Sequence, residues 1–402
     1  MATTNKDIKI RSYDMQIDRS RVEDLERRCQ VGPAESMFLL FTDTMGDPIC
    51  RISNSPLYKM LVAEMDNELV GVIQGSIKIV TVVSSPNKNQ AASVGYILGL
   101  RVSPVHRRKG IGSSLVQSLE EWFVTKNVDF AYMATEKDNE ASVKLFMNKL
   151  GFIQFRTLSI LVNPVRHHVT PIPSNVEIVK FKIEQAEVLY RRLMGSTEFF
   201  PDDIDAILKN KLSLGTWVAY PRGESYSWSD HQFEFNGLDG IGPSNSWAML
   251  SVWNCGDLFK LRVGGAPLSC LIYAKSSRFI DRIFPCLNVP VVPDVFNPFG
   301  FYFMYGMHCE GPKSGPLMTS LCQFVHNMAT TTRNKECKVI VTEVGEWDTT
   351  LRLHIPHSKL LSRPEDLWCI KALKTDQQEK HNFFELTRTQ SPTAFFVDPR
   401  EV

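Results

Sequence analysis

The chain has 402 residues, 45 Lys and Arg against 44 Asp and Glu, a formal net charge of +1 and 43% hydrophobic residues. That length holds two or three domains with packed cores, and the near-zero charge excludes a strongly basic nucleic-acid binder and a polybasic membrane binder. The 9 cysteines, odd in number and without a Cys-x-x-Cys, argue against a disulfide framework or a zinc ribbon and for reduced core thiols.

The first seven residues have no apolar signal core, and no run of about twenty apolar residues follows. A soluble intracellular protein is expected, in cytoplasm or nucleus and off the membrane. Residues 8–11 alternate as a strand, and 18–29 read as a helix with Val22, Leu25 and Cys29 on one stripe. Residues 30–56 read as irregular, either a loop over a binding site or a surface connection. A hairpin follows, with strands at 58–65 and 69–80 and a turn at Asp66-Asn67. Residues 84–92 read as a mobile loop. The strand 94–103 runs into a basic, glycine-bearing turn, and a helix continues from about Gly112 to Lys126. A strand at 129–135, a helix at 139–150 stopped by Gly151 and a strand at 152–162 complete an α/β unit, a mixed sheet with helices on its faces.

Residues 163–175 carry three prolines and read as a linker. His167 and His168 are adjacent in an extended segment and point apart, so they are expected at the surface and no metal is expected. Beyond lie strands at 176–181, 216–220 and 246–253 and a helix at 184–194. Insertions are expected at 221–245 and 254–298, the latter with a helix near 276–284. A strand at 301–309 enters the turn 310–316, a helix spans 317–329, and strands at 338–344 and 367–372 close the chain. The order strand, glycine turn, helix, strand repeats that of 94–135, which predicts a duplicated unit. Pro312 and Pro316 have no N–H to donate, and Lys313 is the lone basic residue of that turn, so the second copy is expected to be degenerate.

The first turn is built for a pyrophosphate. Gly110 and Gly112 let backbone approach a ligand, the helix start presents free N–H groups, and Arg107, Arg108 and Lys109 add positive charge. A Walker loop needs Gly-x-x-x-x-Gly-Lys-Ser/Thr, which is not present. A dinucleotide turn needs a third glycine where Leu115 stands. Glu136 sits near the place of its ribose acid, but the upstream antiparallel hairpin argues against that fold.

The segment Arg107-Arg108-Lys109-Gly110-Ile111-Gly112 resembles the Arg/Gln-x-x-Gly-x-Gly/Ala signature of the GCN5-related N-acetyltransferases (GNAT). Val102-Ser103-Pro104, the run from Asn139 to Phe146 closed by Leu150-Gly151-Phe152, and the hairpin from Glu64 to Gly71 also resemble that family. The likeness covers residues 1 to about 165. Over its full length, through the ending Phe395 to Val402, the chain is similar to the plant Hookless-type probable N-acetyltransferases. It implies a GNAT domain at 1–165, a linker at 166–175 and a degenerate GNAT-like domain with insertions at 176–402.

The resemblance implies acetyl-CoA as cosubstrate and transfer of its acetyl group to an amine, on a protein or small molecule, by direct attack in a ternary complex. Pantetheine would lie along Leu100, Arg101 and Val102, and the pyrophosphate would take N–H groups from Arg108, Lys109, Gly110, Ile111, Gly112 and Ser113. Arg107 opens the motif; Arg101 and Lys109 are side-chain helpers or solvated charges. Asn139 and Ser142 match the family's coenzyme-facing polar motif, and Asn139 also reads as a helix cap. Where relatives carry a tyrosine acid this chain has Phe146, and where some carry a glutamate base it has Ala134. Tyr96 and Glu136 are the candidate catalytic groups; Tyr96 also reads as a core aromatic and Glu136 as a strand-end charge. His106 reads as a phosphate neighbour. The alternative function is a non-catalytic acyl-CoA-binding regulator or scaffold, with protein partners on the second half.

Overall fold

A computed structural model of the protein describes residues 8–29, 39–85, 88–223, 225–229, 232–236, 246–284, 291–331, 336–345, 348–374, 386–387 and 395–402. The first half runs β1 (Lys9–Ser12), α1 (Met15–Arg28), β2 (Leu39–Asp43), β3 (Leu57–Met65), β4 (Glu68–Ser85), β5 (Lys88–Val102), α2 (Ile111–Thr125), β6 (Phe130–Glu136), α3 (Glu140–Val143) and β7 (Ile153–Pro164). The second half runs β8 (Val176–Phe181), α4 (Ile183–Met194), α5 (Ile204–Lys209), β9 (Ser213–Pro221), β10 (Ser225–Ser229), β11 (Gln232–Asn236), β12 (Trp247–Asn254), β13 (Lys260–Gly264), α6 (Leu268–Ile283), β14 (Gly300–Glu310), α7 (Ser314–Thr331), β15 (Cys337–Gly345), α8 (Thr349–His354) and β16 (Arg363–Ala372).

Twelve strands form one sheet in the order β1-β3-β4-β5-β6-β16-β7-β15-β14-β12-β9-β8. Only β5–β6 and β14–β15 are parallel; the other neighbours are antiparallel. The order therefore reads alike from both ends. The two central strands are exchanged: β16, from the C-terminal part of the chain, lies between β6 and β7. The segments 1–165 and 176–402 thus contribute to the same sheet. β16 suits that place because it buries both faces, Leu367 and Cys369 on one and Trp368 and Ile370 on the other, as a central strand must.

One face of the sheet carries an apolar core shared by both halves. It runs from Val72, Val94, Tyr96 and Tyr132 through Trp368 to Phe303, Tyr305 and Val339. The opposite face carries two smaller cores. Leu115, Leu119 and Phe123 of α2 pack over the first half, and Leu317, Leu321 and Val325 of α7 pack over the second.

Several sequence expectations change. Residues 84–92 belong largely to the β4–β5 ladder, with Val83 opposite Asn89 and Ser85 opposite Lys88; backbone bonds hold that pairing whatever the side-chain polarity. The turn at Asp66 and Asn67 has φ of 50° and 63°, the two-residue hairpin geometry that turns a tight corner. Within 30–56 the chain forms β2, which pairs with β13 of the 254–298 insertion; residues 30–38 lie outside the described residues. The helix expected at 139–150 is one α-turn followed by a π-helical stretch, Lys144–Lys149. Of the insertion at 221–245, residues 237–245 lie outside the described residues. His167 is exposed, but His168 is half-buried, with Nδ1 3.6 Å from Asp281 of α6.

Candidate active site

β5 and β6 pair only at Val94–Tyr96 with Phe130–Tyr132. Beyond Tyr96 they part, and Gly99 bends β5 with a φ of 62°. β5 stays bound to β4 through Val102, so Leu100, Arg101 and Val102 face the widening gap with their other backbone edge. The Leu100 carbonyl there accepts a bond from Arg101 Nη1 at 3.1 Å. The rest of the Arg101 guanidinium turns to α1, where Nε lies 3.1 Å from Glu26. Its charge is committed to that partly buried pair.

At the mouth of the gap the chain turns into α2. Arg108 has a φ of 63° and Gly110 one of 85°. No side chain caps α2, so the amides of Ile111, Gly112 and Ser113 have no intrahelical acceptor. A β-carbon at Gly110 would meet no atom within 4 Å, and one at Gly112 would come no closer than 3.5 Å, to Leu145. The turn is thus an open cradle of amides at the positive end of a 15-residue helix. Arg107, Arg108 and Lys109 are exposed around it, His106 is half-buried, and the Ser113 side chain is buried.

The matching turn before α7 differs. Ser314 folds back on Gly311, its hydroxyl donating to the Gly311 carbonyl at 2.7 Å. A β-carbon at Gly315 would fall 2.1 Å from His354 Nε2. Gly315 and Gly112 are each the second residue of their helix, and the imidazole from α8 fills the space that stays open at Gly112.

On the shared face beside the gap lie aromatic and acidic side chains. The Tyr96 ring is 4.9 Å from Tyr132 and stacks 6.4 Å from Trp368. Burial pushes its phenol well above the ordinary value, with the charges of Glu401, Glu343 and Asp366 adding to the rise and Arg51 opposing it. Tyr96 is therefore a neutral phenol, able to give a proton and unsuited to take one. Glu136, at the end of β6, stands opposite Asp366 of β16. Burial raises its pKa, Arg363 opposes the rise, and Oε2 is enclosed without a hydrogen-bond partner.

The sequence model of the acetyltransferase (GNAT) family matches residues 21–152 of the chain. The probable N-acetyltransferase HLS1 of Arabidopsis thaliana is 46% identical, over 98% of this chain and 99% of that protein. The probable N-acetyltransferase HLS1-like of the same plant is 45% identical over the same shares. The chain belongs to the GNAT family. The acetyl transferase GW6a of rice is 34% identical over 98% of this chain and 97% of that protein. Among solved structures, yeast N-myristoyltransferase with bound myristoyl-CoA superposes with a TM-score of 0.54 at 11% identity, over 92% of this chain and 79% of that one. That likeness shows the fold.

Within this GNAT chain, Asn139 caps α3, accepting from the Ser142 amide at 3.4 Å; both side chains are half-buried near the exit of β6. Phe146 is buried edge-on against Phe152 at 5.3 Å and belongs to the core under α2. Sequence reading missed Glu343 and Asp366. They come from β15 and β16, far from the GNAT motifs in the chain, and only the exchanged strands bring them to Glu136 and Tyr96. Their one local signal is an acidic residue breaking an apolar strand on its core-facing side.

Proposed function

We propose that the protein is an acetyl-CoA-dependent N-acetyltransferase acting on an amine, with a protein as acceptor. The observation that carries this reading is the open, uncapped start of α2 at the mouth of the β5–β6 gap. Pantetheine would add like a strand along Leu100 to Val102, replacing the Arg101 Nη1 bond to the Leu100 carbonyl and the side-chain contacts of Arg107 Nε and Cys29 Sγ at the Val102 carbonyl. The pyrophosphate would sit on the amides from Arg108 to Ser113, with Arg107 and Lys109 adding charge from solvent. Asn139 and Ser142 would flank the coenzyme from the β6 side. These residues fit the group, since the cradle is empty of side chains and faces no acid among the residues that form it. The thioester would then lie near Tyr96, whose neutral phenol suits protonation of the departing thiolate. Glu136 would take part on the acceptor side. The amine would attack the thioester directly, both substrates being bound together.

Phe146 and Ala134 supply neither acid nor base, and this favours a second reading, an acyl-CoA-binding regulator without turnover. Calorimetry with acetyl-CoA and CoA-release assays on a peptide panel separate the two. The enzyme reading expects binding and peptide-dependent CoA release. Binding without release would support the regulator, and no binding would sink both.

A further inference from the structure

Helix α6 presents its apolar side to solvent and its polar side to the protein. Its buried residues are Ala274, Ser277 and Asp281. Ser277 Oγ donates to the Ala274 carbonyl at 3.2 Å and accepts from the Val292 amide at 3.4 Å. Asp281 is 2% exposed and lies 3.6 Å from His168. The large apolar side chains Leu268, Ile272, Phe279 and Ile283 are each between 48% and 72% exposed. An amphipathic helix at a protein surface ordinarily buries such a stripe, and a contiguous exposed one marks a contact surface.

The exposed positions Leu268, Ile272, Lys275, Phe279 and Arg282 follow one another at spacings of four, three, four and three residues. That is the seam of a helix that packs lengthwise on another, and it runs for about 21 Å along the axis. Ile283 widens it on one side. Among the described residues, the charged contacts of α6 are Arg278 with Asp294 at 3.3 Å and Asp281 with His168. Lys275 and Arg282 stand outside them. Asp281 is the one acid of α6 and faces inward, so the seam carries positive charge alone. The helix is a firm platform: β13, just before it, pairs with β2 of the first half, and Asp281 meets His168 of the linker.

We propose that α6 is a docking helix for a partner protein. The partner presents an acidic amphipathic helix, with two carboxylates seven residues apart against Lys275 and Arg282 and apolar side chains against Leu268, Ile272 and Phe279. The inference goes beyond the N-acetyltransferase reading and does not rest on it.

The charges decide among occupants. A second α6 packed in parallel sets Lys275 on Lys275 and Arg282 on Arg282. The antiparallel register that matches Ile272 with Phe279 again sets Lys275 against itself. Like charges drawn together in a desolvated seam oppose association. An anionic bilayer gains little from two cations, and a helix that lies on a membrane carries its basic residues over a free polar face, whereas the polar face of α6 is inside the protein. An acidic helix answers both features at once: its apolar residues cover the stripe, and its carboxylates meet the two cations.

The test selects binders of the full chain from a display library of helical peptides about three heptads long, randomised along one seam. The variants I272S/F279S and K275E/R282E change exposed side chains only and should melt like the parent. Enriched peptides are expected to carry Asp or Glu seven residues apart with apolar residues between them. Binding of the best peptide, read by fluorescence anisotropy, should weaken about 10-fold or more in I272S/F279S. K275E/R282E should weaken it about 10-fold as well, and should prefer the same peptide with lysines in place of its acids. No enrichment, binders without acids, or binders indifferent to both variants would overturn the proposal. Parent binding to phosphatidylserine vesicles that I272S/F279S abolishes would overturn it in favour of a membrane. A parent dimer in sedimentation that the same variant dissolves would overturn it in favour of a second copy. Both variants should bind acetyl-CoA within about twofold of the parent, which keeps the fate of this surface separate from that of the coenzyme cradle.

Discussion

Gly110 and Gly112 meet different demands in one turn. Gly110 holds a φ of 85°, a conformation that costs an L-residue about 1–2 kcal/mol. Gly112 lies in the helix itself and leaves room for a ligand oxygen at the α2 amides. Gly112→Glu puts a carboxylate where a diphosphate should rest. It should lower acetyl-CoA affinity about 100-fold by calorimetry, about 2.7 kcal/mol, with little change in melting temperature. Unchanged affinity would remove the cradle from the proposal. Arg101 and Arg107 should separate by the same logic. Arg101→Met strands Glu26, which is 5% exposed, and should lower unfolding free energy by about 3 kcal/mol in urea titrations, as expected when one member of a buried pair is removed. Arg107→Ala, at an exposed position, should leave stability unchanged and weaken coenzyme binding most at low salt. The motif around Arg107 to Gly112 was legible because its chemistry is local. The commitment of Arg101 to Glu26 was not, since that partner sits 75 residues away.

At the scale of elements, α2 and α7 hold equivalent places in the sheet order and differ at their first turn. The sequence expectation of a weaker second turn rested on Pro312, Pro316 and a single lysine. The structure adds a cause that sequence could not supply: His354, from a short helix absent from the sequence reading, covers Gly315. The π-helical stretch after α3 was also hidden, because its apolar spacing is close to that of an ordinary helix over so few residues. A photoreactive CoA analogue should label residues 107–113 and spare 311–316. His354→Ala should not create a second coenzyme site in stoichiometry measured by calorimetry, because the proline at 316 still removes one donor from the helix start. Two equivalents bound to the parent would overturn the idea of a lost second cradle.

At the scale of the molecule, the halves are joined by exchanged strands more than by a linker. Residues 367–372 were readable as a strand from their apolar run, but the place of that strand was not. Pairing partners are set by which edges remain after the rest of the sheet has formed, and those edges belong to β6 and β7, more than 190 positions earlier in the chain. β16 supplies Trp368 and Ile370 to the shared core and Leu367 and Cys369 to the core under α2. Removing a large buried aromatic alone costs about 3–5 kcal/mol, and a fragment ending at 165 lacks all four side chains and opens the β6 and β7 edges to other chains. We expect fragment 1–165 to aggregate or to expose apolar surface to dye, and the full chain to unfold in a single transition that probes in both halves report alike. Adding a peptide spanning 361–374 to the fragment should restore solubility if the missing strand is the cause. A fragment that is monomeric and melts cooperatively by itself would show that the first half completes its sheet without β16.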